Sequence, residues 1–124
     1  MSIERSNVQV ATAARELTRR TGRGVFVTIG AEGIVYVDEE ETHSIPGIPV
    51  SGPIDIVGAG DSTMAGIASA LCAGATPAQA ARVGCVAASI TIQQIGVTGT
   101  ATPDQIRARF QASSSQRPCD SGAL

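Results

Sequence analysis

Pro53-Ile54-Asp55-Ile56-Val57-Gly58-Ala59-Gly60-Asp61-Ser62, continuing into Thr63-Met64-Ala65-Gly66-Ile67-Ala68, is the most informative stretch of this chain. An apolar extended run is broken by two glycines, an acid follows at once, and a small-residue helix begins. Gly58 and Gly60 allow a sharp backbone turn and close approach of a ligand. The first-turn amides of the helix that follows have no intrahelical partners, so they can face an anion. Asp61 stands where those amides converge. A carboxylate beside an anion cradle suits a general base acting on a hydroxyl next to a phosphate. An Asp after Gly-Ala-Gly can also be a simple helix cap, and spacing alone leaves both readings open.

The stretch resembles the signature of the ribokinase-like carbohydrate kinases, the PfkB family, whose pattern is Asp-Thr-x-Gly-Ala-Gly-Asp before a small-residue helix. Asp55, Gly58, Ala59, Gly60 and Asp61 match, and Ile56 replaces the usual Thr. The resemblance runs from about Val25 to Phe110. It implies a ribokinase-like three-layer α/β/α fold, present here as its C-terminal part. It also implies ATP-dependent phosphorylation of a sugar or sugar-phosphate hydroxyl with Mg²⁺. Asp61 would take the proton from the acceptor hydroxyl, and Gly58, Ala59 and Gly60 would supply the anion hole.

Two further segments fit the same resemblance. Thr28-Ile29-Gly30-Ala31-Glu32-Gly33 is similar to the family's Thr-x-Gly-x-x-Gly turn over the ATP phosphates, which implies nucleotide contacts by Thr28, Gly30, Gly33, Gly60 and Asp61. Without that context, two glycines between apolar runs make an ordinary hairpin. Thr91 to Thr100 resembles a loop that shares a monovalent cation with the signature. The ligands carried over are Asp55, carbonyls near Val57, Thr91, Gln94 and Gly96, and an oxygen of Thr100; hard oxygen donors suit K⁺. The bland alternative is a helix C-terminus closed by Gly96. Many members carry an Asn near the nucleotide where this chain has Cys85, and a thiol cannot replace an amide's donors and acceptor.

The resemblance covers only the C-terminal portion of a kinase. The expectation is therefore that residues 1–112 form the nucleotide-binding and catalytic portion, and that residues 113–124, polar and Ser-rich, form a disordered tail. In the family the N-terminal part carries most of the sugar site, the lid and an acidic motif associated with Mg²⁺. The expected partners are ATP, a sugar or sugar phosphate, and either a missing N-terminal half or further copies of the chain. The run Ile95 to Pro103 is reminiscent of heptose-phosphate kinases. A competing reading is a non-catalytic remnant or nucleotide-binding module. A dinucleotide-binding oxidoreductase is weaker, because position 63 is Thr where Gly-x-Gly-x-x-Gly needs its third glycine.

Composition narrows the class. The chain has 124 residues, 43% hydrophobic and only 2% aromatic, so one modest core must be built from Ala, Val and Ile. A net charge of −2 without a basic block gives no electrostatic case for nucleic acid. All nine basic residues are Arg. A phosphate loop of the Gly-x-x-x-x-Gly-Lys type is thereby excluded, and a phosphate site must use backbone amides and Arg. Cys72, Cys85 and Cys119 lack metal or redox spacing; Cys72 and Cys85 read as small core residues in a reducing compartment. No segment reads as membrane-spanning or as a signal peptide, so the expected location is the cytoplasm.

Helices are expected over 8–21, 60–73, 77–94 and 103–112, the second of them buried. Val10, Ala13, Ala14 and Leu17 would share the first helix's inner face. Strands are expected over 25–29, 34–37 and within 42–50. Asp38 to Glu41 reads as a solvated hairpin turn, with His43 at a surface or strand position.

Overall fold

A computed structural model describes residues 3–97 and 99–115. Three strands form an antiparallel sheet in the order β1 (Val25–Thr28), β2 (Gly33–Val37), β3 (Thr42–Pro46). The helices are α1 (Ile3–Thr21), α2 (Ala59–Cys72), α3 (Pro77–Thr91) and α4 (Pro103–Ser115). A short 3-10 turn, Gly30–Glu32, joins β1 to β2.

The central strand explains the layering. Every residue of β2 is buried, because helices cover both of its faces. Alternation along the strand sends Val35 and Val37 one way, where they pack with Ala14 of α1 and the flanking Val10, Ala11, Val25 and Val27. Ile34 and Tyr36 point the other way and pack with Ile45, Ile67, Ala80, Ala81 and Cys85. Phe26 lies beside Tyr36 with ring centroids 4.7 Å apart. Burial, reinforced by its hydrogen bond to Asp38, pushes the Tyr36 phenol up to about 12.

The turns and helix starts follow from local chemistry. Asp38 accepts hydrogen bonds from the Glu40 and Glu41 amides at 2.8 and 2.7 Å, which makes the acidic run a turn. His43 lies in β3, half-buried, against Glu41. At the start of α3, Thr76 Oγ1 accepts from Gln79 N while Gln79 Oε1 accepts from Thr76 N, and Pro77 occupies the first turn. Thr102 and Gln105 repeat this exchange before α4.

Several expectations need correction. The buried stripe of α1 runs through Ala14 and Thr18, while Ala13 and Leu17 are exposed. Thr18 can be buried because its hydroxyl donates to Val37 O at 3.1 Å. The α1 helix also extends back to Ile3. Only Thr63, Gly66 and Ile67 of α2 are buried; Met64, Leu71 and Cys72 are exposed, so Cys72 is not a core residue. An apolar composition all around a helix predicts burial all around only if partners exist on every side. The α3 helix ends at Thr91, short of Gln94. The α4 helix continues through Ser113 to Ser115, where a disordered tail was expected; residues 116–124, with Cys119, lie outside the described residues.

The α2 and α3 helices meet through glycine. A Cβ on Gly66 would come within 3.0 Å of Gly84 Cα, and one on Gly84 would lie 3.0 Å from Thr63 O and 2.9 Å from Ile67 Cγ1. The backbones thus touch without intervening side chains. Gly84→Val should force the helices apart and destabilise the fold by about 1–3 kcal/mol, as overpacking of a filled interior does. Urea unfolding followed by circular dichroism measures this, with the exposed Ala65→Val as control.

Candidate active site: the turn before α2

The approach to α2 is held by one carboxylate. Asp55 N donates to Ile92 O at 2.7 Å, which ties this segment to the residues just after α3. Asp55 Oδ1 accepts from Val57 N at 3.0 Å, and Oδ2 accepts from Gly96 N at 3.1 Å. These amides, Val57 first, hold the Asp55 carboxyl below its usual range. Asp55 therefore joins the signature to the 92–100 loop.

Gly58 follows in the left-handed region, φ 82°, and is the N-cap of α2 with no side-chain cap. A side chain there would be strained, which is why glycine suits the turn. Ala59 N donates to Ile56 O at 3.1 Å, and Ser62 N makes the first helical bond, to Gly58 O at 3.1 Å. The amides of Gly58, Gly60 and Asp61 make no hydrogen bond among the described residues. A Cβ at Gly58 or Gly60 would meet nothing within 4 Å, so there is room beside both residues. Gly60 itself has no positive φ, so its use is room rather than turning. Asp61 lies in the first turn of α2, exposed. Its carboxylate caps nothing, since the N-cap is Gly58 and carries no side-chain bond.

The Thr28–Gly33 segment is a β-hairpin, and its residues differ in what they are free to do. Thr28 is exposed at the end of β1, and Gly30, φ 61°, has open space over it. Gly33, φ 111°, is committed to the sheet: a Cβ there would overlap the backbone of Ile45 and Gly47. Gly47 N also donates to Glu32 O at 3.2 Å. Among the described residues no hydrogen bond joins this turn to Gly58–Asp61.

The residues of the implied cation site lie on two segments that the Gly96 N–H to Asp55 bond joins. Gln94 clasps Thr100 with both ends of its amide: Nε2 donates to Thr100 O at 2.7 Å and Oε1 accepts from Thr100 N at 2.9 Å. Buried Thr91 ends α3, and Gly99 fits against it, since a Cβ there would sit 2.7 Å from Thr91 O. Gly96, φ 75°, lies beyond the helix end and serves the loop rather than closing α3. Asp55 retains lone pairs beyond the two amide bonds. An all-oxygen set of this kind fits a hard monovalent cation.

Cys85 is buried against Ile67 and Ala81 in the core, and that burial pushes its thiol up to about 11. A neutral thiol at this place is a packing group.

One feature has no counterpart in the sequence patterns. Arg109 of α4 donates to Ser89 Oγ at 3.3 Å and to Gln93 Oε1 at 2.7 Å. It borders a groove of about 540 Å³ between Pro46–Ser51 and α4. Its partners lie 16 and 20 residues away, and no local spacing marks such a pairing.

The Asp55 bridge has a direct test. Asp55→Asn keeps an acceptor for one amide but presents an NH₂ to the other. Amide exchange at Gly96 should accelerate in this variant. In the wild type the protection should be present at neutral pH and be lost as pH falls through the depressed Asp55 pKa, below the ordinary carboxylate value of about 4. Hydrogen exchange followed by NMR reads both effects.

Comparison with known proteins places these features. Residues 3–105 match the model of the pfkB family carbohydrate kinases. Over 92 residues the chain is 39% identical to a 1-phosphofructokinase of Haloferax volcanii, covering 74% of this chain and 29% of that protein. It is 36% identical over 104 residues to the bifunctional protein HldE of Paramagnetospirillum magneticum, covering 82% of this chain and 21% of that one. Among solved structures, a ribokinase of Thermotoga maritima superposes with a TM-score of 0.76 at 26% identity, over 82% of this chain and 34% of that one. The chain thus spans about a third or less of these relatives. The matched family and the sheet between helix layers agree: this chain belongs to the pfkB family of carbohydrate kinases and forms part of the ribokinase-like fold.

Proposed function

We propose that this region is the phosphate-side half of an active site that moves the γ-phosphoryl group of ATP to a hydroxyl of a sugar or sugar phosphate. The observation that carries this reading is Asp61: an exposed carboxylate, used by no cap, beside the open amides of Gly58, Gly60 and Asp61. The amides would stabilise charge on the transferring phosphoryl group. Asp61 would accept the acceptor's hydroxyl proton as its oxygen bonds to phosphorus and the bond to the ADP oxygen breaks. Thr28 and Gly30 are free to contact the nucleotide, and Gly33 supports them through the sheet.

Mg²⁺ would reach this site chiefly with the ATP phosphates, since the described residues hold no cluster of three or more metal-ligating side chains. K⁺ would be held by Asp55, Val57, Thr91, Gln94, Gly96 and Thr100, where it would neutralise charge behind the anion cradle. A sugar-phosphate acceptor is supported by the 39% identity to a 1-phosphofructokinase together with the resemblance of the run 95–103 to heptose-phosphate kinases. Two free thiols, Cys72 and Cys85, fit a reducing cytoplasm. No helix among the described residues is long and apolar enough to cross a membrane.

The rest of the fold would supply the acceptor site. Ile54, Ile56, Val57, Met64 and Leu71 are exposed around the start and outer face of α2, a surface suited to being covered by it. A second reading, a nucleotide-binding module without catalysis, needs the unbonded amides of Gly58, Gly60 and Asp61 but no role for the Asp61 carboxylate.

The two readings separate experimentally. ATP added to the 124-residue chain should shift the NMR amide signals of Gly58, Gly60 and Asp61, and Gly60→Val should abolish the shifts without unfolding the protein. The chain alone should show no sugar-dependent ADP release. When the chain is joined to an N-terminal portion of the family, turnover should appear, and Asp61→Asn should lower it by about 10²–10⁴-fold. Turnover that survives Asp61→Asn would remove the base assignment. ATP binding with no turnover in the joined protein would favour the module.

A further inference from the structure

The loop between α3 and α4 hangs from both helices. Thr91 is the last residue of α3, and Gln94 and Gly96 follow it directly. Thr100 instead stands just ahead of Thr102, which exchanges hydrogen bonds with Gln105 at the start of α4. The residues of the implied cation site are thus divided: Thr91, Gln94 and Gly96 go with α3, and Thr100 goes with α4. Asp55 joins the first group through the Gly96 amide. The distance between the two groups depends on how α4 lies on α3.

Apolar packing does not fix that distance at the loop end. A groove of about 460 Å³, bordered by Ile90, Gln94, Gln105 and Ala108, lies between the helices there. Further from the loop, Arg82 sits 4.5 Å over the Phe110 ring. Between these places Arg109 spans the gap. Its Nη1 donates to Ser89 Oγ at 3.3 Å and to Ser89 O at 3.5 Å, and its Nη2 donates to Gln93 Oε1 at 2.7 Å. Ser89 is itself buried and anchored, since its hydroxyl donates to Val86 O at 2.7 Å. A planar guanidinium with two such partners sets direction as well as distance. Every acceptor is neutral, and no carboxylate pairs with Arg109 among the described residues. The use of Arg109 is therefore geometric.

We propose that Arg109 is the positioning residue of the cation loop: by fixing α4 on the last turns of α3, it holds Thr100 against Gln94 at a spacing that suits K⁺ and not the smaller Na⁺. Selection between cations of one charge depends on the size and the stiffness of the oxygen cage. A loop freed from Arg109 can close on the smaller ion as well. The selectivity rests on the K⁺ reading of these residues, whereas the hold of Arg109 on the loop stands without it.

Two NMR measurements on the 124-residue chain test the two parts. Without K⁺ or Na⁺, Arg109→Ala should speed amide exchange at Thr100 by about tenfold, the effect of losing one hydrogen bond. Titration with KCl or NaCl, read at the Gly96 and Thr100 signals, should show a wild-type preference for K⁺. Arg109→Ala should lower K⁺ affinity by about tenfold and leave Na⁺ affinity unchanged. Arg109→Lys can reach only one of the two residues and should fall between. Arg107→Ala removes an exposed arginine paired with Asp104 on the same helix and should behave as wild type. If Arg109→Ala fails to fold, the exposed Gln93→Ala removes the shortest of the bonds and carries the test. Unchanged Thr100 exchange would overturn the positioning role. Equal loss of K⁺ and Na⁺ affinity, or a gain in K⁺ affinity from removing the positive charge, would overturn the selectivity. A wild-type chain that binds neither ion would overturn the K⁺ reading, and the exchange rates would then decide the hold on the loop alone.

Discussion

The contact between Gly66 and Gly84 fixes the rest of this structure. It lets the α2 and α3 backbones touch, and α3 in turn lies on β2 and β3. Through that contact the N-terminal turn of α2 takes its place relative to the sheet. Without it, Ile67 could not reach the layer of Ile34, Tyr36 and Ile45. The open amides before α2 and the core beneath them are therefore consequences of one close approach, made possible where two side chains are missing.

A second constraint acts from the other side. Asp55 receives amides from its own segment and from the 92–100 loop, and its own N–H is bound to Ile92. The loop is closed independently by Gln94 on Thr100. The signature turn is thus gripped by α3 twice, through the glycine contact and through the polar loop at the helix's end. The role proposed for Asp61 would benefit from such support, because geometry at the reacting atoms decides how far a carboxylate can contribute.

Much of this was legible in the sequence because it is encoded locally. Thr76-Pro77 announces a helix start, and Gly30 and Gly33 announce a hairpin, through chemistry contained within a few residues. The motif at Asp55–Asp61 stands out for the same reason. What stayed hidden depends on neighbours far along the chain. Thr18 displaced Leu17 from the inner face of α1 because a carbonyl of β2 was there to accept its hydroxyl. The α2 helix reads as buried all around, yet the described residues cover only one side of it. Arg109 finds Ser89 and Gln93 across a helix pair, which no periodicity could reveal.

The order of contacts has a consequence for the succession of folding events. β1 pairs with β2, β2 with β3, α2 with α3, and α3 with α4, so the sheet and the helix group are each built from successive elements. Matching Thr–Gln exchanges start α3 and α4 without help from distant residues. The core that joins the two groups, Ile34, Tyr36 and Ile45 against Ile67, Ala80, Ala81 and Cys85, closes much longer loops. Closing them costs entropy, so each group forms early and their docking through α3 comes late.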